Sequence, residues 1–269
     1  MLSVQTRTPD IRLHCFVRSY VQRETQQGDA ETVEPVVARL GTMLEFQFAQ
    51  PYVIPIYGSE QILVSPKITV IGPVTHRRVR LIIRQDVQAL AVLFQPQGFR
   101  ALFGIPTFTV SDLGVDARGL LGSTVSELYE RLGNTKSFTE RAKFLDEFLL
   151  DCLSRNKPLS GIHRVLNQLI VAGPRRPITD IAWQAGVTIR QLERKSLEYT
   201  GLTPQTLVRI ARFQHVLRMK SASSISWTKL AHALDYHDQM HMIRDFRVFA
   251  GDTPLRAYQE IGPEHLIGY

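Results

Sequence analysis

The stretch RKSLEYTGLTP (Arg194–Pro204) returns fifty residues later as RDFRVFAGDTP (Arg244–Pro254). Arginine, glycine, threonine and proline coincide in register, and Tyr199 meets Phe249. Upstream, IAWQAGV (Ile181–Val187) aligns with LAHALDY (Leu230–Tyr236) at an offset of 49, so the second copy has one extra residue in its turn. An internal repeat sets how many copies of one supersecondary unit a chain holds, and here it predicts two. Each copy reads as a short helix, a turn and a second helix. The short helices begin after Pro177 and Ser226, types suited to the first helical position and to the N-cap respectively. Ala182 and Ala231 are small enough for the next helix to cross closely at a steep angle, as a helix-turn-helix requires. Gly186 supplies a turn residue tolerant of positive φ, whereas Asp235 in the second copy tolerates that region less well.

At 100° per residue the second helix of each copy separates into two faces. Leu192, Ser196 and Tyr199 share one side of the first, and Met242, Phe246 and Phe249 the same side of the second; these are the expected core faces. Opposite them lie Arg190 and Arg194 in the first helix and Met240, Arg244 and Arg247 in the second, with Gln191, Gln239 and His241 near the helix starts. Arg can form two parallel hydrogen bonds to guanine, Gln can pair with adenine, and Met can pack on a thymine methyl. Thr188, Lys195 and His237 suit phosphate contact and equally suit solvation. The plainer alternative for the arginines is an exposed face that pairs with Glu198 or Asp245. Trp183 and Trp227, in the first helices, suit a core or backbone-flanking role better than base stacking. Between the copies Pro204 to Lys220 predicts one long helix, with Leu207, Ile210, Ala211 and Leu217 inward and Arg209 and Arg212 outward.

The segments ITDIA (Ile178–Ala182), RQLER (Arg190–Arg194) and GLTP (Gly201–Pro204), with the closing Phe246–Tyr258 stretch, resemble the AraC/XylS family of bacterial transcription regulators. The resemblance covers roughly residues 160 to 260. It implies a seven-helix bundle with two recognition helices, double-stranded DNA as partner, an activator's contacts with RNA polymerase, and no cofactor. Ser196 stands where that family usually has Phe, so the first unit is expected to pack less tightly than the second, and Asp235 stands where the family usually has Gly.

Ahead of this region the punctuation changes. Runs at His14–Val21, Leu44–Phe48, Tyr52–Ile56, Ile62–Val64, Val79–Ile83 and Ala89–Phe94 favour strands, and Pro35, Gly41, Pro51, Gly58, Pro66, Gly72 and Pro73 mark turns between them. Phe46 and Phe48 alternate with Glu45 and Gln47, the pattern of a half-buried strand. A capping box, Ser137 to Glu140, opens a helix whose Phe138, Leu145, Phe148, Leu149 and Cys152 recur at helical spacing; the stripe suits either its own domain or a homodimer. Thr124 to Glu127 offers a similar start. PVVAR (Pro35–Arg39), IGP (Ile71–Pro73) and FQPQGFRALF (Phe94–Phe103) look like a regulator-associated domain of the same family, which implies a sensory or dimerising module for an unidentified small-molecule effector.

The expected fold class is therefore α+β and multidomain. Residues 1–158 form a β-barrel or jelly-roll-like domain with accessory helices, and 159–269 an all-α bundle with two helix-turn-helix units. The boundary falls in the breaker-rich stretch Asn156–Gly161, which includes Pro158.

Composition agrees without deciding. A chain of 269 residues that is 44% hydrophobic and 21% charged can bury two cores. Of the net charge of +7, +5 lies in residues 160–269, an excess that attracts polyanions of any kind. The longest apolar run, Ala89–Phe94, falls far short of the roughly 20 residues that span a bilayer, and Met1–Asp10 is polar, so no membrane partner and a cytoplasmic location are expected. Cys15 and Cys152 lack metal or disulfide spacing and are expected to be buried or neutral thiols. His76, Arg77, Arg78 and Arg80 suit an anion site or an exposed hairpin. His14, Glu45 and His76 are the one set that a cupin-like metal site would use, and they carry the rival reading: a β-barrel enzyme or ligand-binding protein with a basic helical appendage. No nucleophile motif, HExxH pair or phosphate-binding loop accompanies them, so catalytic and metal residues are assigned to none.

Overall fold

The computed structural model describes residues 2–25, 32–77, 79–83, 86–156, 161–172 and 176–261. Its first part holds ten strands in two antiparallel sheets. The six-stranded sheet runs in the order β1 (Leu2–Arg7), β2 (Val17–Thr25), β9 (Val87–Phe94), β4 (Met43–Gln47), β7 (Ile68–Ile71), β10 (Gly114–Asp116). The four-stranded sheet runs β3 (Thr32–Pro35), β8 (Arg80–Ile83), β5 (Val53–Pro55), β6 (Ile62–Val64). Neither sheet closes on itself, so the architecture is an open two-sheet sandwich rather than a barrel. All six expected runs became strands. The edge strands β1 and β10, and β3 and β7, carried too short or too polar a pattern to be read.

Strand periodicity explains the layering. In β9, Leu90, Val92 and Phe94 point to one side, where they pack with Leu44 and Phe46 of β4 against the helices α1 (Gly98–Phe103), α3 (Thr124–Gly133) and α4 (Phe138–Arg155). A shorter helix, α2 (Ala117–Leu121), precedes α3. Ala91 and Leu93 point to the other side, toward the four-stranded sheet. The alternation in β4 therefore does not separate core from solvent: Glu45 and Gln47 are buried as well, between the sheets. Gln47 donates to Glu45 at 3.1 Å and accepts from the Ser65 hydroxyl at 2.9 Å. Burial pushes the Glu45 carboxyl above its ordinary range.

The α4 stripe is spent inside this domain. Leu145 and Leu149 are fully buried in the core beneath the six-stranded sheet, with Phe138 and Phe148 packed beside them. Ser137 caps α4 as expected, accepting from the Glu140 N–H at 3.4 Å. The start of α3 lies one residue earlier than the sequence suggested, with Ser123 at the N-cap and Thr124 already helical. Cys152 is half-buried, its thiol pushed up to about 11 by burial, and Cys15 is exposed, both as free thiols.

The remaining helices are α5 (Ile162–Ala172), α6 (Ile178–Gln184), α7 (Ile189–Thr200), α8 (Pro204–Ala222), α9 (Trp227–Ala233), α10 (Gln239–Phe249) and α11 (Pro254–Ile261). They share one core around Phe213, Leu217, Leu192 and Phe246, and Val37, Ala38 and Leu40 of the N-terminal part enter it. Of the expected linker, Pro158 lies outside the described residues, while Asn156 donates to the Leu102 carbonyl at 2.6 Å and so stays with the N-terminal part. Among the described residues no helix is long and apolar enough to cross a membrane.

Candidate nucleic-acid interface

The two repeats fold alike down to single hydrogen bonds. In the first, α6 ends on Gly186 at φ +65°, and the Val187 N–H reaches back to the Ala182 carbonyl at 3.1 Å. In the second, α9 ends on Asp235 at φ +55°, and the Tyr236 N–H reaches the Ala231 carbonyl at 3.0 Å. A left-handed residue followed by a long back-bond is how a helix is stopped and the chain redirected. Pro177 sits at the N-cap of α6 rather than at its first helical position. Ser226 caps α9, accepting from the Lys229 N–H at 3.4 Å. Ala182 and Ala231 are both buried, as the close crossing requires.

The expected inner faces are inside. Leu192 and Ser196 of α7 and Met242, Phe246 and Phe249 of α10 are buried, and Tyr199 is partly so. Ser196 does not leave a hole: its hydroxyl donates to the Leu202 carbonyl at 2.7 Å, and Thr200 donates back to the Ser196 carbonyl at 2.7 Å. In unit two Phe246 fills the corresponding space, 4.8 Å from the Phe213 ring and 6.0 Å from that of Trp227. Trp227 is thus a core residue, while Trp183 stands 81% exposed on α6. Arg212, expected outward, is buried: it donates to the Asp235 carbonyl at 3.1 Å and lies 4.1 Å from the Tyr236 ring.

Arg190, Arg194, Arg244 and Arg247 are exposed, and among the described residues none of their side chains makes a hydrogen bond or salt bridge, although Arg244 lies near enough to Asp238 to help hold that carboxyl down. Asp245 and Glu198, the alternative partners for these arginines, are engaged elsewhere. Asp245, 1% exposed, accepts from Arg209 at 2.7 Å and lies 3.7 Å from Arg212. Glu198 accepts from Arg100 at 3.0 Å and Lys195 at 2.9 Å; burial pushes its carboxyl up, but these hydrogen bonds hold it below its ordinary range. Lys195 is thereby turned toward Glu198 and the Tyr199 ring.

The helix starts differ between the units. Thr188 and Gln191 form a capping box: the Thr188 hydroxyl accepts from the Gln191 N–H at 3.2 Å, and the Gln191 side-chain oxygen accepts from the Thr188 N–H at 2.9 Å. Gln191 therefore keeps only its amide donors free. In unit two Asp238 takes the N-cap, accepting from the His241 N–H at 2.7 Å, which with the neighbouring His237 ring holds its carboxyl below the usual range. Gln239 accepts from the Thr228 hydroxyl at 3.0 Å, so α9 orients the first residue of α10. Met240 and His237 are exposed, and the half-buried His241 ring meets Tyr236 edge-on at 5.5 Å. Thr228 escaped the sequence reading because its role depends on the crossing of two helices, which no spacing reveals.

The other candidate cluster does not converge. Arg78 lies outside the described residues; Arg80 is exposed beside the Tyr57 ring; Arg77 is largely enclosed and paired with Glu260 of α11. His14 is exposed and bonded to the Pro9 carbonyl, His76 is exposed near Asp112, and Glu45 is buried between the sheets, so these three do not form one ligand set. A cavity of about 530 Å³ lies between the two sheets, with mostly apolar walls such as Met43, Ile71 and Leu93 and with Arg39 and Glu45 among its polar groups.

Residues 181–259 match the family described as Helix-turn-helix domain, and residues 5–116 match a domain of unknown function (DUF6597). No curated protein matches the chain. Among solved structures, ToxT from Vibrio cholerae O395 is 10% identical over 97% of this chain and 99% of that chain, with a TM-score of 0.49. Wild-type ToxT from Vibrio cholerae strain SCE256, bound to an unsaturated fatty acid, is 10% identical over 89% of this chain and 94% of that one, with a TM-score of 0.49. A putative ethanolamine utilization protein from Salmonella typhimurium LT2 is 8% identical over 35% of this chain and 68% of that one, with a TM-score of 0.25.

Proposed function

We propose that this chain is a DNA-binding transcription regulator of the AraC type, whose α7 and α10 enter successive major grooves of one promoter. One observation carries the reading. Arg194 and Arg244 occupy equivalent positions in the two repeats, and among the described residues neither exposed guanidinium group is held in a salt bridge. A long, desolvation-tolerant donor left free on a recognition helix is suited to a base edge or a phosphate. Arg190, Gln191, Gln239, Met240, His241 and Arg247 surround them as further readers, with Thr188, Lys195 and His237 nearer the backbone. The connecting helix α8 has 19 residues, about 28 Å at 1.5 Å per residue, of the order of the 34 Å turn of B-DNA.

In this proposal the chain acts by binding, without catalysis, in the cytoplasm where its DNA target lies. The N-terminal domain, up to about residue 158, receives an effector with an apolar body in the cavity between its sheets, whose volume falls in the range of small-molecule sites. RNA polymerase is the expected downstream partner, and a homodimer would use a surface other than the α4 stripe, which is already covered.

The test is substitution at the two equivalent arginines. Arg194→Ala or Arg244→Ala is expected to weaken binding to a duplex selected by the protein by about 1–3 kcal/mol and to leave binding to random DNA nearly unchanged. Equal losses on both DNAs would reduce the pair to phosphate contacts.

A further inference from the structure

Both recognition helices are held at their C-terminal ends by the N-terminal domain, and at equivalent positions of the repeat. In unit one the Thr107 hydroxyl donates to the Tyr199 carbonyl at 2.8 Å, and the Ser111 hydroxyl donates to the Gly201 carbonyl at 2.9 Å. In unit two the Ala38 N–H donates to the Phe249 carbonyl at 2.9 Å, the Arg77 N–H to the Val248 carbonyl at 3.3 Å, and the Arg77 guanidinium to the Ala250 carbonyl at 3.0 Å. Arg77 also donates to the Tyr57 hydroxyl at 2.5 Å and forks onto Glu260 of α11. The repeat glycines sit against this grip. Gly201, at φ +72°, leaves no room for a Cβ, which would fall 2.3 Å from the Ser111 hydroxyl and 2.9 Å from Pro73. Gly251, at φ +80°, would bring a Cβ within 2.8 Å of Arg77 Cδ.

The gripping residues belong to one frame. Asp112 accepts from the Thr75 N–H at 2.7 Å and the Thr75 hydroxyl at 2.6 Å, and the Asp112 N–H donates to the Pro73 carbonyl at 2.9 Å. Arg39 and Val74 exchange backbone hydrogen bonds at 2.9 and 3.0 Å. The segment that holds unit one is thus tied directly to the segments that hold unit two. None of these contacts touches the reading faces: Arg190, Arg194, Arg244 and Arg247 remain exposed.

We propose that Arg77, Thr107 and Ser111 are positioning residues for DNA recognition: they make the N-terminal domain a calliper that fixes the pitch between the two recognition helices. The proposal rests on the DNA-binding reading above. Bridging two weak readers through a stiff frame gains most when the frame matches the spacing of the sites, and a loosened frame tolerates other spacings at the expense of the best one. A frame that held the units against DNA would instead cover the arginine faces, which it does not.

The experiment uses the full chain and a duplex selected by the wild-type protein from a random pool, its half-sites located by footprinting. One base pair is then inserted between the half-sites, which displaces them by about 3.4 Å and about 35°. The wild-type protein is expected to lose about tenfold or more in affinity on the insertion. Arg77→Ala with Thr107→Val is expected to cut that loss to about threefold or less, while affinity for a duplex with a single half-site stays the same. A merely structural role would lower both affinities together. Glu260→Gln, which weakens the Arg77 fork from the other side, should move the same ratio and serves if Arg77→Ala does not fold. An unchanged insertion penalty in the variants overturns the proposal, as does a uniform rise in affinity on every duplex, which would mark an inhibitory contact. Failure of the wild-type chain to select any duplex would instead overturn the DNA-binding reading itself.

Discussion

Two copies of one motif in one chain reach the same backbone by different chemistry. Unit two is built on aromatic packing: Phe246 meets Phe213 and Trp227, and Phe249 closes the cluster. Unit one places a buried hydroxyl at the equivalent of Phe246 and satisfies it through Leu202. Unit two starts its recognition helix on a carboxylate, Asp238, and unit one on a neutral capping box. The turn and the outward arginines are shared; the means of holding them are not. What the repeat preserves is therefore the direction in which a face points, and each unit can meet that requirement with its own core.

Breaking the cores should expose this difference first. Phe246→Ala removes a fully buried ring and is expected to cost about 3–5 kcal/mol in denaturant melts. Ser196→Ala should cost only about 1 kcal/mol, the net worth of one buried hydrogen bond. Comparable losses would mean that unit one depends on its polar contact as heavily as unit two depends on its ring.

The caps give a smaller effect, separable by pH. The Asp238 carboxyl is held below its ordinary range by the His241 N–H, so its folded form favours the charged state. Its stabilisation of α10 is complete above the ordinary Asp range and is lost as pH falls through the lowered value. Thr188 does not titrate. Hydrogen-exchange protection at the start of α10 should therefore fall, relative to that at the start of α7, as pH is lowered from above the ordinary Asp range to below it. Parallel loss at both helices would remove the carboxylate from the account.

Much of the reading region was visible in the sequence because it depends on local spacing. The 100° periodicity separated Leu192 from Arg194 and Phe246 from Arg244, and the turn residues Gly186 and Asp235 both adopt positive φ. Long-range pairings were not visible. Arg212 looks like an outward cation on α8 until Asp245, from a helix more than thirty residues on, is folded against it. Glu45 and Gln47 have the alternation of a solvent face, and only the second sheet buries them. Arg77 sits in a basic cluster that suits an anion site or an exposed hairpin, yet it is largely enclosed and its partner is Glu260, 183 residues away.

The most direct test of the account is a footprint of the full chain on a selected duplex, with wild-type, Arg194→Ala and Arg244→Ala proteins side by side. Two protected major-groove windows about one helical turn apart on the same face are expected, each arginine substitution opening one window and sparing the other. A single window, or one that both substitutions open together, would contradict a pair of independent readers set at the pitch of the duplex.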